Sequence, residues 1–366
     1  MPGLRKLSVL IVVVCSTTIL VPDAQAVPQS YSVQVLPKGA FALNDLGHVA
    51  LRTDLGRDGD GRHIYSIDVW RNGTITTLAT GVNVHGCDMN NSGQVVGYQE
   101  LDGSDQIACM WTEGGRTDIA YGDAAVAVGI NDAGHVVGTH DDYGARRGYV
   151  WDGSATTDLN MPGAVDSEAY DINNANQITG SVTYRDEGPR YTGSRGYSVL
   201  WDGGEGTFLH EVGYHAFGGL INNVGQIMGY RYEENLRSVL WTDGVMVDLG
   251  DLGAGVTEAY DLNDLGQVVG ASGIGPREGH LFIWEDGAMS DLTLILSNGS
   301  PYLYDTAMQI NNSGQILAAG WDVSGPAQCS FLLTPIPEPS CLAAMGAGLI
   351  GLAGFAIRGP RTRHVP

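Results

Sequence analysis

The chain has 366 residues, with 41 acidic side chains against 19 basic ones and a formal net charge of −22. Such a field repels phosphate backbones and anionic headgroups, which argues against nucleic acid as a partner. Charged residues make up only 16% of the chain while Gly numbers 53, a composition suited to many short strands joined by tight turns.

Taken in order, residues 1–26 read as a secretory signal: Arg5 and Lys6, the apolar run Leu7 to Val21, and the small-residue site Ala24-Gln25-Ala26, with cleavage expected after Ala26. Cys15 lies inside that run without the small residues that a lipoprotein site needs before it. Next comes Tyr31-Ser32-Val33-Gln34-Val35-Leu36, an alternating strand with no partner strands before it.

From there one unit is written seven times, most cleanly as Asp261-Leu262-Asn263-Asp264-Leu265-Gly266-Gln267-Val268-Val269-Gly270. The copies turn at Asn44, Asn90, Asn131, Asn173, Asn222, Asn263 and Asn311, each after an apolar residue. Asn and Asp bond back to the local backbone, and a Gly at the fourth position supplies the positive φ that closes such a turn. Six copies have that Gly, and the remaining one has Asn176, the next most tolerant residue in the left-handed region. Turn chemistry therefore accounts for the seven Asn without invoking a ring of ligands.

Between turns a second motif recurs, an apolar strand ending in Trp70, Trp111, Trp151, Trp201, Trp241 or Trp284, with Leu333 in the last copy. Each repeat thus holds strand a, the Asn turn, strand b, a variable loop, strand c with Trp, a turn and strand d, the content of one four-stranded propeller blade. The 267 residues from Asn44 to Asn311 make six steps of about 44.5, within the range of such blades. The last repeat has a, b and c but no d, and the strand at 31–36 fits the vacancy, which would tie the chain ends together and remove the open edge. The expected fold is an all-β, seven-bladed propeller over 27–334. Trp at one fixed strand position predicts packing between blades. Trp321 falls outside that pattern and is a candidate for exposed stacking.

Loop lengths divide the two faces. From each Asn to its own Trp there are 26, 21, 20, 28, 19 and 21 residues, so the long insertions of the first and fourth repeats fall between b and c. The b–c and d–a loops share one face and the Asn and Trp turns share the other, leaving one end uniform and the other variable, as binding surfaces are built on rigid scaffolds. The variable loops hold Tyr98, Tyr143, Arg146, Arg147, Tyr184, Arg185, Tyr191, Tyr230, Tyr232, Arg237 and Trp321. Rings stack on sugar faces and Arg pairs with uronate carboxylates, so this set is the candidate ligand face, with polysaccharide the expected partner.

Motifs for catalysis are absent or incomplete. His210-Glu211-Val212-Gly213-Tyr214-His215 has its second His one residue too late for a zinc helix. The acidic loop Asp54 to Gly61 lacks a third-position ligand and a closing Glu for calcium, so neither a metal nor a cofactor is expected. Cys87 and Cys109 fall on strands a and c of one blade, about 9.5 Å apart, too far for a disulfide. No Gly-x-Ser-x-Gly elbow or phosphate loop is present. Carboxylate pairs such as Asp141/Asp142, Asp186/Glu187 and Glu233/Glu234 leave open an alternative, a glycoside hydrolase or polysaccharide lyase acting on the same polymer. A protein-binding scaffold is the third reading.

The Asn-turn units with their Leu-Trp-x-x-Gly partners resemble the extracellular HAF repeat family over nearly all of 31–334. The departures are Asn176 for Gly, Leu51 and Ala318 for the closing Gly, and Leu333 for Trp. The tail carries a second resemblance. Pro335-Ile336-Pro337-Glu338-Pro339-Ser340 precedes the apolar run Cys341 to Ile357, and Arg358, Arg361 and Arg363 follow, an arrangement similar to the PEP-CTERM sorting signal. That resemblance implies processing by an exosortase-type membrane protease near Pro337-Glu338-Pro339, in a bacterium that makes exopolysaccharide. The 17 residues of the run, at ~1.5 Å each, just span a thin bilayer core with the Arg cluster held on the cytoplasmic side. Residues 335–366 are therefore expected to be a sorting and anchor segment whose transmembrane helix, Cys341 to Ile357, holds the protein transiently at the inner membrane before it reaches the cell surface or the extracellular matrix.

Overall fold

The computed structural model describes residues 30–336, apart from 102–104, 189–190, 210–215, 233–234, 254, 276–277, 297–301 and 323–327. The signal segment, the sorting motif Pro337-Glu338-Pro339, the run Cys341 to Ile357 and the His210–His215 near miss lie outside the described residues. Among those described, no helix is long and apolar enough to cross a membrane.

Seven antiparallel four-stranded sheets follow one another in chain order, each built a-b-c-d, as a seven-bladed propeller. The a strands, Ala40–Leu43, Val84–Met89, Val126–Ile130, Asp166–Ile172, Ala216–Ile221, Thr257–Leu262 and Tyr302–Ile310, touch one another in sequence around the axis, and the last meets the first. The strand Tyr31–Leu36 completes the last blade by pairing along Gln328–Pro335, from Tyr31 opposite Pro335 to Leu36 opposite Ser330. The N-terminus therefore supplies the missing d strand, and the sheet edge it covers is filled by the chain itself.

The repeated Trp is buried in all six copies, as is Leu333 in the seventh. Each stands directly opposite the first residue of its b strand, for example Val268 opposite Trp284 and Ile316 opposite Leu333. Six indoles and one isobutyl group thus fill one layer of the interblade core, which runs as apolar clusters between successive sheets.

Two local features were not anticipated. Every a strand carries a register break ahead of its Asn turn, as between Ala259 and Asp261 or Gly86 and Asp88. Beside that bulge a carbonyl of the a strand meets the Gly that is third in the b strand: a Cβ on Gly270 would lie 2.1 Å from Glu258 O, and one on Gly180 would lie 2.0 Å from Glu168 O. In these copies the Gly answers to a close backbone approach rather than to a turn, whereas Leu51 and Ala318 stand at this position in the first and last blades. The second feature is a short helix, Leu292–Leu296, in the 27-residue interval after Trp284. It buries Leu292 and Leu296 against the last blade, beside Leu281 and Phe331.

Candidate functional site

The two ends of the propeller differ in kind. At the uniform end, each repeated Asn accepts from the N–H groups two and four residues on; Asn263 Oδ1 does so from Leu265 at 3.1 Å and Gln267 at 3.0 Å. The fourth turn residue has positive φ throughout, from 72° at Gly314 to 82° at Gly134 and Gly225, with Asn176 at 62°. The same Asn also acts between blades. Its Nδ2 donates to the carbonyl of the next repeated Asn, from Asn44 to Asn90, Asn131, Asn173, Asn222, Asn263, Asn311 and back to Asn44, at 2.9–3.1 Å. Seven hydrogen bonds close a circle.

A second circle lies on the first. Residues Asp45, Asn91, Asp132, Asn174, Asn223, Asp264 and Asn312 each give a backbone N–H to the next one's Oδ1 at 2.7–2.9 Å. Their side chains alternate acid and amide, so that the Oδ2 of Asp45, of Asp132 and of Asp264 each receives two amide N–H groups. Seven is odd, and the alternation fails once, at the Asn174–Asn223 neighbours. The circles surround a small mouth of about 160 Å³ on the axis.

Below them the bulge aims three carboxylates at the following blade. Asp88 accepts from Ile130 N–H, Asp171 from Ile221 N–H and Asp261 from Ile310 N–H at 2.8–3.0 Å, while Gln309 Oε1 takes the Leu43 N–H. Burial pushes all three acids up, that of Asp171 to about 7, against the pull of their backbone donors. Each residue is only half-buried, so the desolvation comes from surrounding protein rather than from complete enclosure. The sequence signal was present: Asp stands two residues before Asn90, Asn173 and Asn263.

At the variable end the surface is open. A cleft of about 430 Å³ lies between the b–c hairpin of the third blade and the inner strands of the fourth, lined by Asp141, Arg146, Asp166, Glu168 and the hydroxyls of Ser167, Ser181, Thr183 and Ser194. Arg146 is paired with Glu168 and gives its backbone N–H to Asp166 at 2.9 Å, and Tyr170 donates to Glu168 at 3.2 Å. Beside it the fourth blade raises a long arm, Ile178–Gly188 paired with Tyr191–Asp202.

The candidate ligand-face residues fall into three groups. Tyr143 is fully exposed, with φ 51° at its hairpin tip, and Arg185 and Trp321 are also exposed. Four others serve the fold: Arg147 donates to Val165 O at 2.8 Å, Tyr230 donates to Ala259 O in the next blade at 2.7 Å, Arg237 pairs with Asp248 and Asp251, and Tyr184 packs edge-on against Tyr197. The side chains of Tyr191 and Tyr232 lie outside those described. In the acidic loop, Asp58 is engaged by the backbone N–H groups of Asp60 and Arg62 and by the Arg62 guanidinium.

A further aromatic feature runs across the first two blades. His63 stacks on Tyr65 with centroids 5.6 Å apart, Tyr65 faces His85 at 6.5 Å, and His85 lies parallel to Tyr98 at 4.5 Å. Arg52 sits 3.5 Å over the Tyr65 ring, donates to Val84 O at 2.7 Å and reaches His85 Nε2 at 3.3 Å. Partial burial and the neighbouring Arg52 lower the His85 pKa, offset in part by Glu100 at 3.4 Å. The sequence reading caught only Tyr98 of this group, because the others join it through cross-strand pairing (His85 opposite Tyr98, Asp54 opposite Tyr65) that no linear spacing reveals.

Fold and site together define a closed β-propeller with one end ringed by hydrogen bonds around a narrow mouth and one open, polar end. No family model and no curated protein sequence matches the chain. Among solved structures it is similar to the β-propeller domain of the Trilobed protease from Pyrococcus furiosus, described as having an open velcro topology, at 15% identity over 72% of this chain and 87% of that one, with a TM-score of 0.49. It is also similar to an acylaminoacyl peptidase from Pyrococcus horikoshii (14%, 75% of this chain, TM-score 0.46), of which it spans about half (48%). A third likeness is to YCF48 bound to D1 peptide, at 12% identity over 84% of this chain and 97% of that one, with a TM-score of 0.42. At such identities a likeness concerns architecture only.

Proposed function

We propose that the protein is an exported module of the cell surface or extracellular matrix that binds polysaccharide through its variable face. The carrying observation is the asymmetry of the propeller: one end is consumed by two closed hydrogen-bond circles, and the other presents a hydroxyl- and carboxylate-lined cleft with the exposed Tyr143 at its rim. Polar groups on a rigid frame can exchange hydrogen bonds to water for bonds to sugar hydroxyls with little ordering cost. Delivery in this reading follows the termini: export through residues 1–26, transient anchoring by Cys341 to Ile357, and processing by an exosortase-type protease at Pro337-Glu338-Pro339.

Binding is favoured over catalysis because two of the three cleft acids are engaged by the chain itself, Glu168 by Arg146 and Tyr170 and Asp166 by the Arg146 N–H, which leaves Asp141 without a second free carboxylate to work with. The test is retention on exopolysaccharide prepared from the host, with an assay for new reducing ends or unsaturated products in the same samples. Retention without chain cleavage is expected. Replacing Tyr143, Arg185 and Trp321 together by Ala should weaken retention with the melting curve nearly unchanged. Cleavage of the polymer, or no retention, would refute the proposal.

A further inference from the structure

We propose that the stripe formed by Tyr65, His85 and Tyr98 at the junction of the first two blades is a stacking subsite for an uncharged, hydroxyl-rich polysaccharide. This rests on the reading that the variable face holds a saccharide, and it adds both a place and a charge class. Three observations lead to it.

The first is that the rings lie at the rim of the interblade core, where Tyr65 packs against the apolar cluster of the first two blades. All three are only half-buried, and the His85 side chain is 25% exposed. Arg52 locks them: its guanidinium lies over Tyr65, and its bonds to Val84 O and His85 Nε2 cross from the first blade to the second. A rigid ring array loses little entropy when a sugar stacks on it. Among the described residues, neither the Tyr65 nor the Tyr98 hydroxyl makes a hydrogen bond, so both remain available to a ligand.

The second observation is what borders the stripe. Asp54 and Glu100 flank it with side chains 43% and 39% exposed. Carboxylates accept from paired sugar hydroxyls, and they repel a uronate or sulfate at the same place.

The third is the state of the guanidinium groups elsewhere on the molecule. Arg146, Arg231 and Arg237, which a polyanion would need, are paired with Glu168, Asp248 and Asp251 of the chain itself. With a net charge of −22, the field of the protein as a whole repels an anionic polymer. At this junction the chemistry favours ring stacking on a neutral chain over Arg-to-uronate pairing.

The experiment is affinity electrophoresis of the purified protein in gels containing a mixed-linkage β-glucan, dextran or alginate. Retardation is expected in at least one neutral gel and not in alginate. Tyr98→Ala and Tyr65→Ala should each raise the apparent Kd about tenfold, the equivalent of one lost ring contact, while Tyr98→Phe, which keeps the ring, should change it less than about threefold. Retardation by alginate alone overturns the proposal. Neutral-gel retardation that survives both Ala variants overturns the subsite and leaves the broader saccharide reading standing. No retardation by any of the three overturns this inference, whereas retention on host polymer tests the broader reading separately. Should the Ala variants melt below the assay temperature, Glu100→Ala at an exposed side chain takes their place: a loss of at least about threefold is expected, and wild-type retardation overturns the proposal.

Discussion

Replacing Asn263 by Ala tests whether the repeated Asn is a turn residue or a bond between blades. Asn263 is 3% exposed and makes four hydrogen bonds: Oδ1 accepts from Leu265 and Gln267 N–H, and Nδ2 donates to Gln267 Oε1 at 2.7 Å and to Asn311 O at 3.0 Å. The three bonds to Leu265 and Gln267 lie within the turn and at about 1 kcal/mol each account for about 3 kcal/mol, and the bond to Asn311 O in the next blade adds about 1 kcal/mol, roughly 4 kcal/mol in all. Asn311 O still accepts from Gly314 N–H at 2.9 Å, which keeps the figure from rising further.

Equilibrium unfolding in urea supplies the number, as a shift in midpoint at unchanged slope. Leu265→Ala, in the same turn with a side chain 54% exposed, is the control and should stay within about 0.5 kcal/mol. A second variant, Asn263→Asp, keeps the acceptor and removes the donor, so it should fall between the two unless the buried charge dominates. A loss of about 3 kcal/mol or less for Asn263→Ala would leave nothing to the interblade bond and refute the circle as a stabilising device.

Three other outcomes are expected. Deleting residues 27–36 uncovers the edge Gln328–Pro335 and the groove around Leu36 and Leu332, so the truncated chain should melt lower or aggregate; an unchanged melting temperature would count against closure. Asp171 has a folded pKa near 7 against about 3.9 unfolded, so its contribution is fully present below pH 4 and is lost as pH rises through 7; Asp171→Asn should flatten the stability difference between pH 5 and pH 8 by a few kcal/mol at most, and an unchanged difference would refute that burial argument. If sorting follows the Pro337-Glu338-Pro339 motif, mass spectrometry of the mature extracellular form should find a C-terminus near Pro339 and no peptide from Cys341 to Ile357, whereas an intact C-terminus in a non-membrane fraction would refute it.

What was legible in the sequence was whatever recurs at a fixed interval. The Asn, the positive-φ residue and the Trp each answer to one local geometry, so their spacing gave blade count, strand order and the closure by Tyr31–Leu36. The candidate site was less legible, because exposure depends on neighbours remote in sequence. Tyr230 and Tyr143 look alike as loop aromatics, yet one bonds Ala259 O in the next blade and the other stands in solvent. Arg237 reads as a ligand cation until Asp248 and Asp251, 11 and 14 residues later, are folded onto it.

The circles show why even the repeats were read only in part. Within one copy, Asn-Asp and Asn-Asn are equivalent turn formers, and nothing local distinguishes Asp264 from Asn312. Between copies the difference decides the bonding, since an acid can only accept and an amide can do both. Acids at positions one, three and six, with amides between them, let every carboxylate take two amides and never set two carboxylates side by side. In a circle of seven one like pair is unavoidable, and the chain places it at Asn174 and Asn223, where two neutral amides meet without like-charge repulsion. Changing Asn223 to Asp would give Asp264 a carboxylate neighbour in place of an amide donor, and the uniform end would then be least stable between blades five and six.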